Sequence, residues 1–356
     1  MRVPLLTVSA RPITLRQLPT GMPEEPRKEG LVPARIATRH RTAYELLTEL
    51  GELGAQTSGR LHDGGRMPAV GDWVAVAPLP GERRAVIHAV LSRRSSFSRK
   101  EAWVRTEEQV VAANVDTVLI VSALDGDLNV RRLERYLAAG WDSGAQPVVV
   151  LTKADLCTPG EVAAAVLGVD AVALGVPVHT VSSVTADGLE ELRAYLAPGR
   201  TVALLGSSGV GKSTLANRLL GRDLLATGEL RADGRGRHTT TRRELVPVPG
   251  GGLLLDTPGM RELQLWGDGG GLEAAFGEVA ELAATCRFAD CSHESEPGCA
   301  VRAALADGRL DRERLASFRK LERELHALAV RQDKRLASEE RKHRRRAARG
   351  RRKAQW

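Results

Sequence analysis

The sequence predicts a multidomain protein: a small β-barrel, then a mainly parallel α/β sheet, then a helical region broken by a Cys/His cluster. Three observations predict it. Short segments rich in Val and Gly crowd residues 34–100. Apolar strands alternate with helix-spaced segments from 116 to 255. Three of the four cysteines fall within residues 286–299. Closely spaced short strands close into barrels or sandwiches. Strand–helix alternation builds a parallel sheet covered on both faces. Clustered thiols with a histidine read as a metal site rather than a disulfide framework.

The 356 residues suffice for two or three domains. Aromatics make up only 3%, so the cores must rest on Val, Leu and Ala. No apolar run approaches the roughly 20 residues of a membrane span, which sets membrane functions aside. Arg2, Arg11 and Arg16 precede the first acid, Glu24, as in a targeting peptide. An apolar core and a cleavage signal are missing, so residues 1–33 are expected to be a disordered extension and the protein cytoplasmic. The net charge of +8 is uneven. Residues 331–356 carry 12 Lys/Arg against Asp333, Glu339 and Glu340, a net of +9, which leaves the remainder near −1. Such a tail suits a polyanion, most often nucleic acid, or serves only solubility.

Within the barrel region, Gly71-Asp72 leads into a Trp73-Val74 run over 69–77, and Pro80-Gly81 precedes a strand over 84–91. Periodicity does not separate an OB barrel from an SH3-like one. Arg93, Arg94, Arg99 and Lys100 surround Phe97, which fits either RNA contact by charge and stacking or a solvated face. The middle of the chain predicts strands over 116–123, 146–151, 177–181, 201–205 and 252–255, and helices over 129–139, 161–168, 189–196 and 212–220. Beyond Gly267 the pattern is helical, and Leu315, Phe318, Leu321, Leu325 and Leu328 share one face. The expected domains are 1–33 (extension), 34–100 (barrel), 101–266 (sheet), 267–330 (metal-binding helices) and 331–356 (basic tail).

Gly206, Ser207, Ser208, Gly209, Val210, Gly211, Lys212 and Ser213, followed by Thr214, complete a G-x-x-x-x-G-K-[ST] phosphate loop between a strand and a helix. Glycines turn backbone N–H groups toward phosphates, and the helix N-terminus favours negative charge. Lys212 reaches the β- and γ-phosphates, and the Ser213 hydroxyl ligates Mg²⁺. Downstream, Asp256 begins an Asp-Thr-Pro-Gly segment at a strand end, where an acid can hold Mg²⁺ directly or through water. The Gly259 N–H can approach the γ-phosphate. Between them, residues 234–241 form a basic, glycine-rich loop with three threonines. This fits a switch whose Thr binds Mg²⁺ only with the γ-phosphate present, with Thr240 favoured over Thr239.

The base is read upstream. Thr152, Lys153, Ala154 and Asp155 follow an apolar strand. Asp155 can accept from guanine N1–H and the 2-amino group, donors that adenine lacks. The Lys153 stem can cover the base, and Ser182-Ser183, after the next strand, can offer a backbone N–H to guanine O6. Thr152 stands where Asn is usual in this motif, which predicts a weaker side-chain tie to the phosphate loop. Base motif and Ser loop precede the phosphate loop, so the order is circularly permuted. A sheet tolerates this when the original termini lie close together. The permutation makes the switch segment lead directly into the Cys/His region. Cys286, Cys291, His293 and Cys299 supply three thiolates and an imidazole, the set of a closed structural Zn²⁺ site.

In this order of motifs the chain resembles the RsgA family of circularly permuted, small-ribosomal-subunit-dependent GTPases. The likeness spans roughly residues 34–310 and rests on Gly71-Asp72-Trp73-Val74, the base motif, the phosphate loop, the 234–241 switch, Asp256–Gly259 and the Cys/His cluster. It implies an OB-fold barrel, a GTPase core and a zinc domain. It also implies a role in late maturation of the small subunit, whose rRNA would be contacted, with GTP hydrolysis stimulated by that subunit. Met260 stands where many GTPases place a water-orienting Gln. The resemblance makes His238 the candidate for that task, with Thr240 and Lys212 as its catalytic companions.

The expected function is therefore a cytoplasmic, monomeric GTPase of small-subunit assembly that uses GTP/GDP, Mg²⁺ and one structural Zn²⁺. Two alternatives stand beside it. One is a GTP-dependent RNA-binding switch with negligible turnover, kept open by Met260. The other is a permuted GTPase of large-subunit assembly, against which the barrel and the metal cluster argue.

Overall fold

The computed structural model describes residues 30–40, 43–49, 51–59, 61, 67–100, 108–221, 244–256 and 269–332. The chain opens with β1 (Val32–Arg39), β2 (Tyr44–Thr48), β3 (Gly51–Thr57), β4 (Trp73–Pro78) and β5 (Arg84–Val90). Their order is β1-β2-β3-β5-β4, and a β1–β4 pairing closes the ring. Only β3 and β5 run parallel within it. This is the OB arrangement, a five-stranded Greek-key barrel. Strand order thus decides what periodicity left open. Ala34, Ile36, Leu46, Val74, Val76 and Ile87 fill the interior.

A hairpin of β6 (Ser96–Lys100) and β7 (Glu108–Ala113) leads out of the barrel. It corrects the RNA-stacking reading of Phe97. That ring is 2% exposed and shares the main core with Val111, Ala112 and Val115, so no base can stack on it. Arg93 instead makes a two-point pair with the fully buried Asp72, at 2.8 and 2.7 Å. Arg94 reaches toward Asp116 at 3.5 Å.

The second unit alternates β8 (Thr117–Ala123), α1 (Val130–Asp142), β9 (Gln146–Thr152), α2 (Pro159–Asp170), β10 (Val178–Thr180), α3 (Leu189–Arg193), β11 (Thr201–Gly206), α4 (Lys212–Leu220), β12 (Glu244–Pro247) and β13 (Leu253–Asp256). Spatial order is β10-β9-β8-β11-β13-β12, parallel except for β12. All seven residues of β8 are buried, which explains why this strand reads as an unbroken apolar run. The helices start where local chemistry dictates. The Asn129 side chain accepts from the Arg132 N–H to cap α1. Thr158 and Glu161 form a reciprocal capping box ahead of α2, with Pro159 in its first turn. Strand β12 was not anticipated. A four-residue antiparallel edge ending at a proline carries too short a pattern to be read.

Barrel and sheet are joined by polar contacts as well as by a shared apolar core that includes Ala37, Leu47 and Val70. Thr38 of β1 pairs with Glu244 of β12. Arg35, also of β1, is 1% exposed and reaches across the joint. Its Nε donates to the Gly71 carbonyl at 2.7 Å, and its Nη2 to the Asn114 carbonyl at 2.9 Å and to Thr201 Oγ1 at 3.0 Å. Burial pushes its pKa down to about 10 against the pull of Asp116, so it remains cationic at neutral pH. The guanidinium stacks 5.0 Å from the Trp73 ring.

The third unit contains α5 (Gly270–Ala275), α6 (Gly277–Ala284), α7 (Ala300–Ala306) and α8 (Arg312–Gln332). It docks on α1. Arg314 of α8, 4% exposed, bonds Glu134 of α1 at 3.0 Å, Glu278 at 2.6 Å and the Ala275 carbonyl at 2.6 Å. Its guanidinium lies 4.1 Å over the Phe276 ring. Arg135 forks onto Glu324 at 2.7 and 2.8 Å. The described contacts of this unit therefore run to the helix after β8. No helix among the described residues is long and apolar enough to cross a membrane.

Candidate functional site

The parallel strands deliver their loops to one edge, the carboxyl edge, where ligands bind in open α/β sheets. The phosphate-loop segment follows β11, residues 152–155 end β9, Ser182-Ser183 follow β10 and Asp256 ends β13. Gly209 and Gly211 hold φ of +80° and +90°, a backbone that L side chains avoid. Alternating hand along such a loop turns successive N–H groups inward and makes an anion cradle, so the residues present fit a phosphate chain. Lys212 and Ser213 open α4, whose first N–H groups add positive potential. The Lys212 ammonium donates to the Gly206 carbonyl at 2.9 Å and to the Ser207 carbonyl, so it sits within its own loop. Ser208, Gly209 and Thr214 are exposed, and Val210 is buried beneath them.

Thr152 is tied to this loop by its hydroxyl. Its hydroxyl donates to the Val210 carbonyl at 2.6 Å, with the Ser122 carbonyl at 3.3 Å on the other side. The side-chain tie to the phosphate loop is thus present with Thr in place of Asn: close approach of the Val210 backbone lets a short hydroxyl reach it. Lys153 adopts a left-handed backbone (φ 60°, ψ 34°) at the start of a single tight turn over Ala154–Leu156. Its ammonium meets Asp125 Oδ2 at 2.5 Å. Asp155 is exposed within that turn. The Ala154 N–H donates to the Val181 carbonyl at 3.2 Å, joining this loop to the Ser loop. There the Ser182 N–H is taken by the Asp187 carbonyl at 3.0 Å. The Ser182 hydroxyl accepts from the N–H groups of Val184 and Thr185 at 3.2 and 3.1 Å. Of the two serines, Ser183 is the one whose N–H is uncommitted among the described residues.

Between α6 and α7 the four expected ligand atoms of Cys286, Cys291, His293 and Cys299 lie within 4.8 Å of one another. Cys286 Sγ and Cys299 Sγ are 3.9 Å apart, and His293 Nδ1 is 3.5 and 3.4 Å from them. A tetrahedral zinc with Zn–S of about 2.3 Å sets its sulfurs roughly 3.8 Å apart, so the set fits that ion. The Cys286 thiol is held below its ordinary pKa. Desolvation opposes this, and backbone N–H groups of Val301 and Ala300 at the start of α7, together with the Cys299 and Cys291 thiols, outweigh it. The loop is fastened from both sides. Arg319 of α8 donates to the His293 carbonyl at 2.8 Å, and Glu296 accepts from the N–H groups of Ser292, Glu294 and Ser295 at 3.1 Å.

Residues 90–266 match the family model described as RsgA GTPase. A Lactiplantibacillus plantarum protein named small ribosomal subunit biogenesis GTPase RsgA 2 is 50% identical over 84% of this chain and 85% of its own length. A small ribosomal subunit biogenesis GTPase RsgA from Opitutus terrae is 52% identical over 88% and 89%. The chain belongs to the RsgA GTPase family. Among solved structures, YjeQ from Thermotoga maritima superposes with a TM-score of 0.64 at 26% identity, over 83% of this chain and 98% of that one. The structure of YloQ, titled a circularly permuted GTPase, shares the fold with a TM-score of 0.59 at 22% identity, over 83% and 95%.

Membership in the RsgA family makes this chain a GTP-hydrolysing enzyme with a circularly permuted core. The structure brings together Thr152, Lys153, Asp155, Ser182, Ser183, the 206–214 segment and Asp256 on one sheet edge, and the Cys/His set in a separate cluster. His238, Thr239 and Thr240 of the switch, Gly259 and Met260, and the tail beyond Gln332 lie outside the described residues. Two features escaped the sequence reading. Asp125, the partner of Lys153, has a local signal, because it is an acid in the loop after β8 on the same edge. The Arg314–Glu134 pair spans 180 residues and has none.

Proposed function

We propose that this GTPase acts on the small ribosomal subunit during its late maturation, as a monomer in the cytoplasm, with hydrolysis stimulated by that subunit. One observation carries the reading. The guanine-type loop at Thr152–Asp155 is hydrogen-bonded directly to the phosphate-type loop through Val210, in a chain about half identical to proteins named for small-subunit biogenesis. The expected limits of 1–33 for the extension and 34–100 for the barrel shift, because the closed ring runs from Val32 to Val90 and β6 pairs outside it with β7; the other limits proposed are a GTPase core to 266, zinc-binding helices 267–330 and a basic tail 331–356.

In the proposed mechanism Asp155 accepts from the guanine N1–H and 2-amino group, and the Ser183 N–H donates to O6. Backbone N–H groups of 206–214 hold the phosphates, and Lys212 leaves its own loop carbonyls to meet the β- and γ-oxygens. Mg²⁺, when bound, neutralises charge that develops on the phosphate oxygens. Ser213, Asp256 and Thr240 are its proposed ligands, and the Gly259 N–H the contact to the γ-phosphate. His238 orients the attacking water, a task Met260 has no polar atom to perform. One structural Zn²⁺ would be held by Cys286, Cys291, His293 and Cys299.

Phosphate release with purified subunits tests the function. Addition of small subunits should raise turnover many-fold, and large subunits should leave it unchanged. Stimulation by large subunits alone would overturn the reading, and no turnover under any condition would favour an occupancy-only switch. His238→Ala should lower the stimulated rate while nucleotide affinity holds. Removal of residues 331–356 should weaken binding to the subunit and flatten its salt dependence, because each lost phosphate contact reduces the slope.

A further inference from the structure

The base-reading turn holds a cation and an acid two residues apart. Asp155 has to keep its lone pairs available for guanine. It is exposed and carries no hydrogen bond or ion pair among the described residues. Lys153, in the same turn, is an ammonium on a flexible stem, and an ammonium beside a free carboxylate pairs with it. The structure shows a different outcome. Lys153 Nζ lies 2.5 Å from Asp125 Oδ2, in the loop after β8. The two loops are fastened to each other independently of that pair. The Leu124 N–H donates to the Thr152 carbonyl at 3.0 Å, and the Cys157 thiol to the Leu124 carbonyl at 3.6 Å. Lys153 is 26% and Asp125 34% exposed, so the pair is partly withdrawn from water.

We propose that Asp125 is a positioning residue for guanine-nucleotide binding: it draws the Lys153 ammonium away from Asp155 and fixes the direction of the Lys153 stem. The proposal rests on Thr152–Asp155 being the base-reading motif. Without the Asp125 charge, the ammonium is left with Asp155, two residues along the same turn, as its neighbouring carboxylate. An ammonium on Asp155 occupies the oxygens that guanine N1–H and the 2-amino group require. Nucleotide would then have to break an ion pair before binding, and the stem would lose its fixed course. Both effects act on the base side, so they fall equally on GDP and GTP.

Titration of fluorescently labelled GDP and GTP against the full-length wild type, Asp125→Asn, Asp125→Glu, Lys153→Ala and the Asp125→Asn/Lys153→Ala double variant tests this. Asp125→Asn keeps volume and removes charge. It should weaken both nucleotides about tenfold, the scale of one charge-assisted hydrogen bond, at an unchanged GDP-to-GTP ratio. Asp125→Glu should restore most of the loss. In the Lys153→Ala background Asp125→Asn should add nothing, because its target is gone. Wild-type affinity in Asp125→Asn, or a loss that adds in full to that of Lys153→Ala, overturns the proposal. Failure of the wild type itself to bind guanine nucleotide would instead overturn the reading of the site.

Discussion

At the scale of single residues, backbone proximity matters more than side-chain type. Thr152 offers one hydroxyl where an amide is usual, yet the Val210 carbonyl stands close enough to accept from it at 2.6 Å. Thr152→Val keeps the shape and leaves that buried carbonyl without a donor, a loss on the order of 1–3 kcal/mol. GDP and GTP affinity should both fall about tenfold, as read by equilibrium titration. Glu296 provides a pH test. The Ser292 hydroxyl and neighbouring backbone N–H groups hold its carboxyl at about 2, below the ordinary 4.5. A depressed carboxyl stabilises the fold above its unfolded value and stops doing so as pH falls through its folded one. The thermal-midpoint gap between wild type and Glu296→Gln should therefore be constant above about pH 4.5 and close progressively toward pH 2. The residue types at Asp155, Lys212 and the Cys/His positions were legible because their chemistry is local. The acceptor of the Thr152 tie was not, since no sequence pattern reports where a carbonyl 58 residues away will lie.

At the scale of elements, strands and helices with strong periodicity were read well. β8, β9 and β11 each carry a central apolar run, and α8 shows its core stripe through Leu315, Leu321 and Leu328. The barrel itself was read from its short strands, but not which strands pair to close it: β1 meets β4 across the intervening hairpin. The ligand loop between α6 and α7 has little apolar burial of its own and depends on its anchors, the four ligand atoms, Arg319 and Glu296. Zinc chelation should therefore raise hydrogen exchange over residues 285–300 while labelled GDP still binds with unchanged affinity. Loss of nucleotide binding in step with zinc would show that the cluster supports the phosphate loop instead.

At the scale of the whole molecule, the three units are joined by buried arginines whose partners come from distant parts of the chain. Arg314 pairs with Glu134 Oε1 and with Glu278 together, while the buried Oε2 of Glu134 has no hydrogen-bond partner among the described residues. Arg314→Ala leaves a fully buried Glu134 with only Arg131 beside it at 2.7 Å. Removing one partner of such a pair costs about 3–5 kcal/mol. Denaturant unfolding should show that loss, and a combined Arg314→Met/Glu134→Leu variant should recover much of it. Such long-range pairs are invisible to local pattern, which is why the sequence predicts the units and not how they are joined. The joint at Arg35 also has a consequence in time. All five barrel strands are synthesised by residue 90, so the barrel can close early. Arg35 then has to wait for Thr201, 166 residues downstream. From residue 90 to Thr201, at roughly 5–20 residues per second, that is a delay of roughly 6–22 s. Throughout that interval Arg35 has the Gly71 carbonyl, and soon that of Asn114, but not the Thr201 hydroxyl, and the joint is completed only once the strand leading into the phosphate loop has emerged.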